Sequence, residues 1–181
     1  MALNQLDNAS VELKRATENA SLPFAHYYLG VLNRQQGRLD VAATEFEKEI
    51  EIAPGNPSAY KDLAEIRLDQ SDVQGAVQVL EKGVEHNPDA PDLLATLGRA
   101  YLQLPAEGRA ITVLKRAIAL DPKSGSYHYQ LGRAYLKAGR RAEASAEMAR
   151  ARTLTNEAPT VGKMGALSKD QETDAVSDGP H

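Results

Sequence analysis

The stretch Leu94-Ala95-Thr96-Leu97-Gly98-Arg99-Ala100-Tyr101, continued by Ala110, Leu114, Ala117 and the pair Asp121-Pro122, decides how this chain folds. It is one unit of a period. Displaced by 34 residues the sequence falls on itself without a gap. Leu97 aligns with Leu29, Leu63 and Leu131, and Gly98 with Gly30, Ala64 and Gly132. Ala110 aligns with Ala42, Ala76 and Ala144, and Leu114 with Phe46, Leu80 and Met148. Pro122 aligns with Pro54 and Pro88; Asn156 breaks that column, with Pro159 close behind.

Each column has a physical cause. The leucine anchors the first helix of a pair in a shared core. The Gly or Ala beside it, and the Ala of the second helix, leave room for the two backbones to approach. The large residue four places after that Ala fills the space between pairs. The proline stops the second helix, because it has no N–H to donate and disfavours a helical residue before it. Asn56-Pro57-Ser58 then restarts a helix, with Asn as N-cap and Pro in the first turn, and Ala90-Pro91-Asp92 restarts another. Pro105 and Gly108 fall around one inter-helix turn, which is expected to be irregular.

This pattern resembles the tetratricopeptide repeat family. The units lie at 23–56, 57–90, 91–124 and 125–158. The third is closest to the family pattern. The fourth, with Tyr127 to Tyr135 and Gly139, is nearly as close. The first departs at Asn33, where an aromatic is usual, and at Glu49, where a small residue is usual; the second departs at Arg67. The resemblance implies an all-α fold, a right-handed solenoid of antiparallel helix pairs, used as a protein–protein interaction scaffold or adaptor.

The ends extend the frame. Ala9, Leu13 and Ala16 sit one period before Ala42, Phe46 and Glu49, so residues 1–22 read as the second helix of a partial preceding repeat. Either the chain is a fragment of a longer protein, which is the preferred reading, or this helix serves as an N-terminal cap. Residues 159–181 read as a mostly disordered tail, in which Val161, Met164 and Leu167 at helical spacing would allow a short covering turn.

Composition narrows the function. With no Trp and 2 Phe, the core must come from aliphatic side chains and alanine. The net charge is −4; five acids and two lysines past Asn156 account for −3 of it, leaving about −1 on the body. That balance gives no general electrostatic grip on nucleic acid or an anionic membrane. RNA-reading pentatricopeptide arrays keep a 35-residue period, whereas this chain keeps 34. No Cys means no disulfide and no thiolate ligand. The start has no basic stretch followed by an apolar run, and no stretch approaches the length of a membrane span. A soluble, cytoplasmic setting is therefore favoured, although a fragment would not carry its own address.

No catalytic constellation emerges. His26 and His128 share one repeat place, where Tyr60 and Leu94 stand in the other units, and they read as packing residues. His86 sits at a helix end, and no two histidines have metal-ligand spacing. Glu45, Glu47, Glu49 and Glu51, and the pair Glu143 and Glu147, read as solvated helix faces with Lys48 and Arg150 as partners. Neither a phosphate loop nor a nucleophile motif is present. An enzyme is not expected, and no cofactor or metal is implied.

In a solenoid the first helices line the concave side, and the resemblance implies that a peptide or partner helix lies there. The groove-facing residues in register are Phe24, Tyr27, Val31, Arg34 and Gln35; Ser58, Lys61, Glu65, Leu68 and Asp69; Asp92, Ala95, Arg99, Leu102 and Gln103; Ser126, Tyr129, Arg133, Leu136 and Lys137. Of these, Tyr27, Val31, Arg34, Lys61, Arg99, Leu102, Tyr129, Arg133, Leu136 and Lys137 are the expected contacts. Arg99 and Arg133 stack one period apart with Lys137 a turn further on, which suits an acidic or carboxyl-terminated protein ligand. Glu65, Asp69 and Asp92 lie beside them as competing partners. The clamp with which some family members hold chaperone tails needs Lys and Asn a turn apart; here Lys61 is followed by Glu65 and Tyr27 by Val31, so that ligand is not expected. Self-assembly into a homo-oligomer, or a regulatory role beside an absent catalytic domain, remain the alternatives.

Overall fold

A computed structural model of the chain describes residues 24–157. The proposed half-repeat at 1–22 and the tail at 159–181 lie outside the described residues. Within them are eight helices and no strand: α1 Ala25–Gln35, α2 Leu39–Ile52, α3 Pro57–Asp69, α4 Val73–His86, α5 Pro91–Tyr101, α6 Glu107–Leu120, α7 Gly125–Lys137 and α8 Arg141–Glu157. Each helix packs on the next. In addition α3 touches α5 and α5 touches α7, so these first helices form one layer and the second helices the other. The result is the all-α solenoid.

The helix boundaries follow from side-chain chemistry. Asn56 caps α3 by accepting from the Ser58 backbone N–H at 3.2 Å, with Pro57 in the first position. Asp72 caps α4 by accepting from Gly75 N–H at 2.9 Å. Ala53, Asn87 and Asp121 leave the helical region with φ of −131°, −131° and −135°, as a residue before proline must. Where that proline is missing, at Asn156, α8 runs on to Glu157 and reaches 17 residues against 14 for α2, α4 and α6.

The small-residue columns bring the helices of a pair together. A Cβ on Gly30 would lie 2.5 Å from the Phe46 ring, and one on Gly98 2.6 Å from Leu114 Cγ. Opposite them Ala42, Ala76, Ala110 and Ala144 are fully buried. Phe46, Leu80 and Leu114 continue that contact into a core that runs unbroken from α2 to α8.

The inter-helix turns show why the third unit differs. Gly37, Ser71 and Gly139 adopt φ of 74°, 65° and 75° at equivalent places. The fourth member of that column is Pro105, whose ring holds φ near −65°. The left-handed turn cannot form, α5 stops two residues earlier in register than α1, α3 and α7, and 102–105 make an irregular turn. The expected irregularity is present, but Gly108 takes no part in it and lies in the first turn of α6.

Candidate functional site

Three first helices present their polar side chains to one open depression of about 230 Å³, lined by Lys61 and Glu65 of α3, Asp92, Ala95, Thr96 and Arg99 of α5, and Ser126, Tyr127 and Gln130 of α7. A second hollow of about 220 Å³ continues it along the starts of α3 and α5, past Ser58 and Lys61 to Asp92. Lys61 and Arg99 therefore share one surface, and several of the other register residues lie beside them.

Much of the charge on this face is already matched. Arg99 donates to Glu65 at 3.2 Å. Arg34 donates to Asp62 at 3.1 Å, with Glu65 at 3.7 Å. Lys137 is bound elsewhere: its ammonium donates to the carbonyls of Leu102 and Leu104 at 2.6 and 3.1 Å, with Glu107 at 3.5 Å. It reaches the irregular turn at 102–105, where the Leu104 carbonyl also accepts from the Ala106 N–H at 2.9 Å. Asp92 accepts from the Tyr127 hydroxyl, and burial followed by that bond pushes the hydroxyl pKa well above its ordinary value. Among the described residues Lys61 and Arg133 have neither an ion-pair nor a hydrogen-bond partner.

The apolar members divide in the same way. Val31 and Leu102 are half-buried against the core, and so is Tyr27, whose ring meets Phe46 at 5.8 Å between centroids. Burial, and then the Asp62 carboxylate, raise the Tyr27 pKa. Tyr129 and Leu136 behave differently, with 52% and 49% of their surface exposed. With Arg133 between them they form a stripe along α7.

Thr96, Tyr127 and Gln130 line the depression without having been expected there. A signal existed for two of them. The column Tyr28, Asp62, Thr96, Gln130 carries a polar-capable residue in every unit, on the flank where neighbouring first helices meet. Asp62 uses this place to pair with Arg34 and Thr96 to bond the Asp92 carbonyl at 2.9 Å. The Gln130 side-chain oxygen is buried with no partner among the described residues.

The histidines are packing groups of a specific kind. His26 Nδ1 lies 2.7 Å from Glu45, and His128 Nδ1 lies 2.6 Å from Glu147, while His128 Nε2 faces the Pro122 carbonyl at 3.2 Å. The two pairs occupy identical places in their repeats; the other units place Tyr60 with Val79 and Leu94 with Val113 there. The reading of the glutamates as solvated faces holds for Glu47 and Glu51, which are exposed, and Lys48 pairs with Glu45 at 3.0 Å; for the others it is corrected. Glu45 and Glu147 point back to the first helix, and Glu143 pairs with Arg140 rather than Arg150. Glu49 is 2% exposed and accepts from Asn56 Nδ2 at 3.0 Å and from Tyr27 N–H at 3.2 Å. It joins the starts of α1 and α3, which is why it replaces the small residue of the other units.

Comparison with known proteins agrees with this architecture. Tetratricopeptide repeat models match residues 1–57, 61–125 and 108–161. A search of curated proteins returned no match. Among solved structures, the crystal structure of MamA superposes with a TM-score of 0.74 at 20% identity, over 86% of this chain and 91% of that one. MamA 41-end from Desulfovibrio magneticus RS-1 gives 0.72 at 22% identity, over 86% and 88%. YrrB, described as a TPR protein with an unusual peptide-binding site, gives 0.70 at 19% identity, over 87% and 81%. Identities this low speak to the fold, while the repeat models cover most of the sequence: the chain belongs to the tetratricopeptide repeat family.

Proposed function

We propose that the inner face of this interaction scaffold binds a segment of a partner protein, with acidic side chains meeting Lys61 and Arg133 and apolar ones meeting Tyr129 and Leu136. The observation that carries the reading is the α7 stripe, where two half-exposed apolar side chains flank a cation with no partner among the described residues. Arg99 and Lys137 contribute less than their sequence positions imply, since Glu65 and the turn carbonyls already hold them. Exposed pairs of that kind yield little net energy when exchanged for another carboxylate.

Display selection of random peptides tests this. The wild type should enrich peptides that combine Asp or Glu with aliphatic residues, and their binding should weaken steeply with salt. Lys61→Glu/Arg133→Glu should lose them, whereas Arg99→Gln should lose much less. Equal enrichment by wild type and double variant would move the site off this face and end the acidic-ligand reading.

A further inference from the structure

The α7 stripe is exposed for a reason visible in the repeat register. Leu68 and Leu102, which hold the place of Leu136 in the second and third units, are half-buried against the core, as are Lys61 and Tyr27 at the place of Tyr129. In those units the following first helix gives partial cover; after α7 no described helix does so. The second helix of the same unit has meanwhile become polar. Ser145 stands where Val77 and Ile111 are buried, and Arg152 where Ile50, Val84 and Ile118 pack inward. Such a face does not suit stacking of an equivalent repeat from a second copy. The occupant of the stripe must be light, charged and partly apolar.

We infer that this occupant is the segment that follows α8, residues 158–181, docked along the Tyr129–Arg133–Leu136 face of α7. Three observations carry the assignment. The first is where the segment starts: α8 returns to the beginning of α7, with Thr155 Oγ1 and the Ala151 carbonyl about a Cβ contact from Gly125, at 2.9 and 3.0 Å from where that Cβ would stand. The segment therefore leaves beside Ser126, at one end of the stripe. The second is length. A helix the size of α7 is about 20 Å long, and the 24 residues of 158–181 span several times that when extended.

The third is charge and its order. Val161, Met164 and Leu167 come first, and Asp170, Glu172, Asp174 and Asp178 follow, with only Lys163 and Lys169 of opposite sign. The apolar residues are offered to Tyr129 and Leu136, and the acids to Arg133, which has no ion-pair partner among the described residues. Tethering raises the local concentration of the segment to about the millimolar range, so individually weak contacts suffice. This inference rests on the proposed partner site and adds its regulation: the chain's own acidic segment competes with an acidic partner for the same face.

The experiment uses the full chain. Because it has no cysteine, Ser177→Cys carries a single nitroxide, and amide signals of the ¹⁵N-labelled protein are read with the nitroxide oxidised and reduced. Docking predicts loss of the Tyr129, Arg133 and Leu136 signals in the oxidised state. The signals should return when Asp170, Glu172, Asp174 and Asp178 are changed to Asn or Gln, a variant that leaves residues 24–157 untouched and corrects for proximity through the tether alone. Signal loss spread evenly over the helices, or unchanged in the neutralised variant, overturns the inference. So does equal loss when unlabelled ¹⁴N chain carries the nitroxide in a mixture, since the occupant would then come from a second copy. No partner peptide enters this measurement. Loss at α7 in a chain that selects no acidic peptide, even with its own acids neutralised, would keep the docking and sink the partner reading.

Discussion

Glu49 stands where the other units carry Gly83, Ala117 and Ala151, and the structure turns that departure into a buried link between two helix starts. Glu49→Ala would leave the Tyr27 N–H and the Asn56 amide without their acceptor. A loss of about 1–3 kcal/mol in urea unfolding is expected, even though alanine is what the family places there. Ser71 makes the opposite case. Its φ of 65° is a conformation in which L-residues are strained by roughly 1–2 kcal/mol, and the same column holds Gly37 and Gly139. Ser71→Gly should therefore raise the melting temperature, while the same change at Ser58, inside α3, should lower it. The sequence marked Glu49 as unusual in its column. It did not reveal what Glu49 binds, because its partners, seven and twenty-two residues away, meet only when α1, α2 and α3 converge.

Between elements, the His26–Glu45 contact fastens α1 to α2 and carries a pH dependence. Burial works against the Glu45 charge, but hydrogen bonds from His26 and Lys48 outweigh it and hold the carboxyl below its ordinary 4.5. A depressed carboxylate favours the ionised native state, so its contribution is complete above pH 4.5 and disappears as pH falls through the folded value. Glu45→Gln should lower the urea midpoint at neutral pH and leave it close to wild type well below that point, so the two titrations converge in acid. An equal difference at both pH values would show that packing, and not charge, is what the residue supplies. The broken turn at Pro105 belongs to the same scale. Its irregularity was legible because proline's φ is fixed wherever it stands. The recruitment of Lys137 to the carbonyls of Leu102 and Leu104 was not, since it depends on the reach of a flexible side chain from the following unit.

Among the described residues each unit touches its neighbours and little else, so stability propagates along one dimension. Leu97, 3% exposed in the middle of the array, is where that propagation is most vulnerable. Leu97→Ala should cost about 2–5 kcal/mol and should split thermal unfolding into a broader, less cooperative transition, checked by calorimetry. One sharp transition in the variant would mean that the units are coupled by more than this core. Charge is also distributed at this scale. The inner face is close to neutral because Glu65 stands one unit before Arg99, while Arg133, one unit further, has Arg99 in that place and no acid. Reading the column Val31, Glu65, Arg99, Arg133 as neighbours along the solenoid would have singled out Arg133 from sequence alone.

What the sequence determined by itself was the architecture: the helix pairs, their stops, the small residues at their contacts and the broken third turn. These are local constraints of backbone and volume, repeated every 34 residues, and a fixed period makes neighbours in space readable as neighbours in a column. The tertiary structure decided which polar groups are engaged. Arg99, Arg34, Lys137, Glu45 and Glu49 lie in columns that could equally have faced solvent, and only the packed helices bring carboxylates and carbonyls to the three cations, and an imidazole, an amide and a backbone N–H to the two carboxylates, within 3.5 Å. A side chain that can span several ångströms chooses its partner after the backbone is placed, whereas glycine, alanine and proline act on the backbone itself.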